Sequence, residues 1–431
     1  MEGHAWLLVL ILIGVGSVRI AATYTVFNHT ADESGHIACG MEWLDLGTYR
    51  YEPQHPPLAR AMTALLPYVD GSRANRRENR DFEGATILYD GQGRWYDRKL
   101  ALARTGILPF YWLGSVTVFL FARWLLGAAG GVAATAVFTF LPPIMAHAGL
   151  ATTDMAFTST LALSLYAAAR LAEQPSWQRS TCFGLSGGLA ILTKFSSLAY
   201  FPAAIGVAGA TVLFRERGKA LRSCLGLASY VACAGVVAFV VVWAGYRFSF
   251  GTAASLGVAL PFPELFGGIQ QVREHGKEGH LAYLLGEHRR DGWWAYFPVL
   301  LAVKTPLAVV VLAMVGLWKW RNALSFLPWA FMAGILIVAI PSRINIGVRH
   351  VLPIYEFLAV GAGAGVLSLV RQGGWRRGAA FVMLLWYGIA SAGAHPDYLA
   401  YFNELAGGEP ERIAADSDLD WGQDIKRSGG G

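Results

Sequence analysis

The sequence predicts an all-α polytopic membrane protein, a bundle of about eleven transmembrane helices with a large first outer loop. Three observations carry this. Hydrophobic residues make up 55% of the 431-residue chain and charged residues only 15%, against about 25% charged in a soluble chain. Apolar stretches of near-bilayer length recur along the chain, and a helix satisfies its own backbone hydrogen bonds in lipid. The connections between alternate stretches carry Arg and Lys almost without acid, the asymmetry that orients helices in a membrane.

By length and apolarity the spans run over 5–23, 101–122, 127–146, 153–171, 181–196, 198–214, 225–243, 295–318, 325–340, 350–370 and 377–393. Lys194-Phe195-Ser196-Ser197 separates the fifth from the sixth, and Pro142-Pro143 ends or kinks the third. The first span lacks a strongly basic start and an A-x-A site, so it reads as a retained helix rather than a signal peptide. The transmembrane domain then occupies 1–394 and includes outer loops 24–100 and 246–294. A tail over 395–427 lies on the outer side, and the Ser-Gly-Gly-Gly at 428–431 reads as an appended remnant.

The basic connections hold Arg123; Arg170 and Arg179; Arg215, Arg217, Lys219 and Arg222; Lys319 and Arg321; and Arg371, Arg376 and Arg377. They should be cytoplasmic, as should the N-terminus. The connections 24–100, 147–152, 246–294 and 341–349, with the tail, then face away from the cytoplasm. They hold nearly all the candidate chemistry. The net charge of +6 is therefore a topology signal; no solvated basic domain points to nucleic acid. The four cysteines, Cys39, Cys182, Cys224 and Cys233, form no CxxC pair, which argues against a disulfide framework or a structural zinc site.

In the first outer loop, His55-Pro56-Pro57-Leu58 has the form of a helix start, with proline in the first turn. Leu58, Met62, Leu65 and Leu66 then share a face, which suits an amphipathic helix lying in the membrane interface. Residues 71–99 read as a polar, partly mobile loop. Residues 246–294 are rich in aromatics and histidine.

Asp32 and Glu33 follow the first span directly. Acids beside a membrane exit are costly to bury and need a reason to be there. In a helix, Asp32 would share a face with His36, and an interfacial carboxylate can take a proton from a hydroxyl as a general base. The competing reading is a pair of solvated loop acids. Asp154 stands in HAGLATTDMAF at the mouth of the fourth span, where Thr152, Thr153 or Asp154 could instead cap the helix. Lys194 interrupts apolar sequence in LTKFSSL, with snorkelling as its competing role. Arg343, Asn345, Arg349 and His350 crowd PSRINIGVRHVLPIY, with no nearby acid before Glu356. Such a cluster suits a phosphate, which arginine grips with a two-pronged fork. His36 and His55 are candidates for a sugar or acceptor pocket. The outer histidines with Glu33 could hold a divalent cation, although no HExxH spacing is present.

On these residues the chain resembles the GT-C class of membrane glycosyltransferases, and within it the branch of protein O-mannosyltransferases and lipid A aminoarabinose transferases. The resemblance runs through ADESGHIACGMEWLDLGTYRYEPQHPPLAR, LATTDMAF, LTKFSSLAYFP and NIGVRHVLPIY, from residue 1 to about 395. The tail, PDYLAYFNELAGG…DSDLDWGQDI, is similar to the end of many bacterial members. The resemblance implies a GT-C-type bundle with Asp32 as the catalytic aspartate and Asp154 as a second carboxylate at a span mouth. It implies a polyprenyl-phosphate sugar donor, inversion at the anomeric carbon, and a site on the extracytoplasmic side of a bacterial plasma membrane. The acceptor would be a protein, lipid or glycan; no soluble acceptor-binding module is recognisable. Lys194, Arg343, Arg349 and His350 would meet the donor phosphate, with Glu33 sharing the acidic site. The alternatives are a transporter or flippase for a lipid-linked anion, which would use the same cations and acids, and a structural membrane subunit.

Overall fold

The computed structural model describes residues 2–216, 226–319 and 324–428. Arg217, Lys219, Arg222 and Arg321 of the basic connections, Cys224, and residues 429–431 lie outside the described residues.

Every one of the eleven expected spans falls on a helix, but not every helix is a full span. Six are long and apolar enough to cross a membrane: Gly3–Ala21, Tyr96–Leu126, Asp154–Glu173, Ser197–Phe214, Ala228–Gly245 and Ile354–Gln372. Two more are broken pairs. Ala128–Thr139 and Pro142–Ala148 meet at 66°, and Tyr296–Lys304 and Leu307–Trp318 at 108°. Proline accounts for both breaks. Pro142-Pro143 and Pro306 offer no N–H to the preceding turn, so the helical ladder stops there. The remaining three expected spans are the shorter Trp177–Thr193 and Leu327–Ala339 and the helix Gly374–Gly393, which carries Arg376 and Arg377 in its first turn.

The centre of the bundle is the Ile354–Gln372 helix, buried continuously from Ile354 to Val366. Its VGAGAGV run lets neighbouring backbones come close. A Cβ at Gly365 would stand 1.9 Å from the Leu312 carbonyl oxygen. Close approach of small residues is how helices pack in lipid, where the hydrophobic effect does not drive them together. Phe119, Phe121, Phe138 and Phe331 fill the space around this helix and its own Phe357 in one continuous core.

The first long connection, residues 24–100, is more ordered than a polar linker. Helix Glu33–Met41 is wholly buried and runs into a π-helical turn over Glu42–Leu46. Helix Pro57–Val69 begins with Pro56 at its cap and buries Ala59, Arg60, Thr63 and Ala64. Leu65 is exposed and Leu66 half-buried, while the half-buried Leu58 and Met62 pack against the core, so only part of the expected apolar face is open to the membrane interface. The stretch 71–99, expected to be loose, contains helix Arg80–Leu88 and the start of Tyr96–Thr105. Two local devices order it. Asn79 caps the helix by accepting from the Phe82 N–H at 2.9 Å. The buried Glu83 carboxylate collects the N–H groups of Asn75 at 2.6 Å and Arg77 at 2.8 Å.

The second long connection, residues 246–294, folds as helix Pro263–Glu278 between two antiparallel hairpins. The first pairs Phe250–Ala253 with Val258–Pro261, and the second Ala282–Leu284 with Glu287–Arg289. These are the strands of the described residues, and the fold is otherwise helical. The tail returns to the bundle. Asn403 donates through Nδ2 to the carbonyls of Ala302 and Thr305, both at 2.6 Å. It thereby satisfies acceptors left open where Pro306 breaks the helix.

Candidate active site

Four residues singled out from the sequence meet at one end of the bundle. Asp32 stands at the N-cap position of Glu33–Met41. Arg349 lies in the 3-10 turn Val348–Val351. Asp154 is the first residue of Asp154–Glu173, and Lys194 is the extended residue that ends Trp177–Thr193. Arg349 Nη1 donates to Asp32 Oδ2 at 2.8 Å and stands 4.0 Å from Asp154 Oδ2. Lys194 Nζ donates to Asp154 Oδ1 at 2.7 Å. The result is an alternating row, Asp32, Arg349, Asp154, Lys194, in which each charge faces its opposite. Arg349 is therefore neutralised by Asp32, which corrects the expectation of a cation cluster without a nearby acid. The distance along the chain hid the partner.

Asp154 does not cap its helix. Thr153 holds the N-cap position without a side-chain cap bond, and Thr152 Oγ1 instead bonds the Asp154 carboxylate at 3.2 Å. His147 Nδ1 is 4.0 Å from the same oxygen. Asp154 is 1% exposed, whereas 34% of the Asp32 side chain is open. Burial pushes the Asp32 carboxyl up, but the Arg349 guanidinium outweighs it and holds the group below its ordinary value of 3.8. At neutral pH Asp32 is a carboxylate.

His36 lies one turn along from Asp32, as the helical spacing predicts, with its N–H on the Asp32 carbonyl at 3.0 Å. Its ring accepts at Nδ1 from Arg60 Nε at 3.0 Å and meets His55 edge-on, centroids 5.4 Å apart. Burial first, then the Arg60 charge, push His36 down to about 3, and the same two causes hold His55 well below its usual value. Both rings are neutral. Buried Arg60 is anchored in turn by Glu52, which also pairs with Arg80.

The other expected site residues stand apart. Glu33 is fully buried and saturated. Arg104 grips it twice, at 2.8 and 2.9 Å, and the N–H groups of Thr30 and Ala151 add two bonds at 2.8 Å. It is a strut that ties the loop entry to the strand of chain leading into Asp154. Arg343 is exposed and reaches the Lys277 carbonyl at 3.4 Å. His350 turns its ring onto Phe297, their centroids 5.8 Å apart. Among the described residues no group of three or more His, Cys, Asp or Glu is arranged to hold a metal ion.

Sequence reading missed Arg60, Arg104 and Trp421. Arg60 lies inside the HPPLAR stretch already singled out. Arg104 stands inside an expected span, where an ionisable residue is itself a signal. Trp421 gave no signal, because its contact is made only by the folded tail.

With the geometry in hand, comparison with known proteins is informative. Residues 104–243 match the family model described as dolichyl-phosphate-mannose-protein mannosyltransferase. That segment contains Arg104, Asp154 and Lys194. ArnT from Cupriavidus metallidurans, solved bound to undecaprenyl phosphate, superposes with a TM-score of 0.62 at 17% identity, over 90% of this chain and 63% of that one. The protein has the GT-C fold. The Archaeoglobus fulgidus oligosaccharyltransferase, solved tethered to an acceptor peptide, matches at a TM-score of 0.58 and 11% identity, over 89% of this chain and 55% of that one. The archaeal oligosaccharyltransferase AglB from Archaeoglobus fulgidus, solved in complex with an inhibitory peptide and a dolichol-phosphate, matches at a TM-score of 0.53 and 12% identity, over 92% of this chain and 56% of that one. This GT-C chain thus spans under two thirds of the length of each of these three structures. Curated protein sequences give no match.

Proposed function

We propose that the protein is an inverting glycosyltransferase that moves a sugar from a polyprenyl-phosphate donor to an acceptor hydroxyl or amine at the outer face of the membrane. The observation that carries this is the row Asp32, Arg349, Asp154, Lys194, in which Asp154 is sealed and Asp32 is partly open. Asp32 takes the proton of the acceptor. The acceptor atom attacks the anomeric carbon from the face opposite the phosphate. The bond between that carbon and the phosphate oxygen breaks, and the electron pair leaves on the polyprenyl phosphate. Arg349 and Lys194 bring preorganised positive charge to the oxygen where negative charge develops. Arg349 Nε is engaged by the Ile346 carbonyl at 3.0 Å and Nη1 by Asp32, while Nη2 has no protein acceptor among the described residues. Asp154 orients both cations. His36 and His55, neutral and adjacent, suit hydrogen bonding to sugar or acceptor hydroxyls. The Lys and Arg asymmetry of the connections supports an outer-face site, and the similarity of the tail to bacterial proteins supports a bacterial plasma membrane.

The test is incubation of the purified full chain with a panel of polyprenyl-phosphate sugars, followed by mass spectrometry of lipids and acceptors. The expected products are sugar-free polyprenyl phosphate and a glycosylated protein, lipid or glycan. One observation favours a second reading, a transporter or flippase for a lipid-linked anion. The two broken spans, one in each half of the chain, are the device transporters use at their binding sites. In vesicles, a lipid-linked sugar that changes leaflet without losing its sugar would favour that reading and overturn the first.

A further inference from the structure

We infer that tail residues 416–423 are a positioning element of the active site, in which the Trp421 ring fixes the Arg349 guanidinium so that its fork faces both Asp32 and the donor phosphate. Four observations converge. The Arg349 guanidinium carbon stands 3.9 Å from the centroid of the Trp421 ring, in stacking contact. Trp421 is 5% exposed, so it is a floor beneath the arginine and not a surface lid. The ring is pinned from its own backbone: the Trp421 carbonyl accepts from the Ala31 N–H at 3.0 Å, and the Gln423 carbonyl from the Asn28 N–H at 2.9 Å. Tail and loop entry are thus laced together on the residues just before Asp32. The turn that carries Arg349 is held by the same tail. Asp418 Oδ1 accepts from the Val348 N–H at 2.9 Å, and Ser417 Oγ donates to the Ile346 carbonyl at 2.7 Å. Gly347 has a φ of +91°, and a Cβ there would lie 2.5 Å from Ser417 Oγ, so the tail fits this turn only because residue 347 is glycine. Lys304, buried below, donates to the Leu399 and Asp418 carbonyls at 2.7 and 2.6 Å and ties the tail to the broken span.

The physical reason for such a floor is the freedom of an arginine side chain. Left alone it would sample many rotamers, and each would lose either the Asp32 contact or the open Nη2. A planar guanidinium stacked on an indole is confined to one plane. The charged groups around it are Asp32 from the loop helix, Asp154 from the bundle, and Asp416 and Asp418 from the tail. Asp32 is faced by Arg349, His36 and Asp154.

The inference rests on the transferase reading for its kinetic readout, so the experiment carries a second readout that needs no activity. Full-length Trp421→Leu, which fills the space without an aromatic face, and Trp421→Phe, which restores one, are compared with the parent protein. Arg349 modification by phenylglyoxal is followed by peptide mass spectrometry. Arg349 should react roughly tenfold faster in Trp421→Leu, the scale of a desolvated cation–π contact, and near the parent rate in Trp421→Phe. In the transfer assay, the acid limb of the pH–rate profile should move to higher pH in Trp421→Leu, because Asp32 loses the steady partner that keeps its proton off. It should return in Trp421→Phe. A merely structural tryptophan would lower the rate and leave the limb in place. Equal Arg349 reactivity in all three proteins overturns the inference, as does an unmoved limb in Trp421→Leu. A parent chain that transfers no sugar sinks the transferase reading instead, and the modification rates alone then decide the stacking.

Discussion

Asp32 and Glu33 are adjacent in the chain and opposite in surroundings. Glu33 accepts four hydrogen bonds, two of them from Arg104, and is sealed from solvent. Asp32 accepts one from Arg349 and keeps a third of its side chain open. A saturated carboxylate has no lone pair left for a substrate, so it holds structure. An undersaturated one next to a cation has lone pairs to spare and a charge kept ready at neutral pH. Two acids that look alike in sequence therefore divide into a sealed strut and a partly open carboxylate, the one to which the proposed chemistry is given, and the division is made by which arginine each one meets.

That division can be broken at either acid. The largest effect on folding should come from Glu33→Ala, which leaves the Arg104 charge buried without its partner. Breaking one side of a buried pair costs about 3–5 kcal/mol, so thermal unfolding in detergent should show a large loss. A Glu33→Ala protein as stable as the parent would deny Glu33 its role as a strut. The same pair gives a pH dependence with a definite sign. Burial raises the Glu33 pKa, but Arg104 outweighs this and holds it below its ordinary 4.5. Its contribution is therefore complete above pH 4.5 and disappears as pH falls through the lower folded value. Unfolding curves taken on either side of that window should separate parent from Glu33→Gln above it and converge below it.

Arg349→Ala should weaken donor use next most. A hydrogen bond to a charged group is worth about 1.5–3 kcal/mol, and the KM for the polyprenyl-phosphate sugar should rise accordingly. Arg349→Lys keeps the charge and loses the fork, so it should fall between alanine and parent. Equal donor dependence in all three would move the phosphate site away from Arg349, with Lys194 the next residue to test. Asp154→Asn should be milder still, with transfer down roughly tenfold, because the amide keeps the shape and one bond to Lys194 while losing the charge. A loss as large as that from changing Asp32 would make Asp154 a reacting group and not an orienting one.

Much of the site was legible because each of its ionisable residues stands at the mouth of an apolar span, where charge is expensive. Asp32 and Asp154 stand out on that ground together with the family resemblance, Lys194 by interrupting an apolar run, and Arg349 as part of a cation cluster. Their pairing was not legible, since Arg349 and Asp32 are 317 positions apart and only the fold brings them together. Arg104 could have been found by the same rule, for it lies inside the expected span 101–122. The helix count illustrates the opposite case. Pro142-Pro143 was read as a kink, yet Pro306 in VKTPLA carries the same message and marks the sharper break. The tail was opaque. Nothing in DSDLDWGQD announces that its tryptophan ends beneath an arginine of the site.

Asp32→Asn tests the division most directly. It keeps the size of the side chain and removes its ability to take a proton. Turnover on a polyprenyl-phosphate sugar should fall by about 10²–10⁴-fold, the usual cost of losing a general base. Donor binding and the unfolding temperature, measured on the same preparation, should stay near those of the parent. Near-parent turnover from folded Asp32→Asn protein would contradict the role given to Asp32.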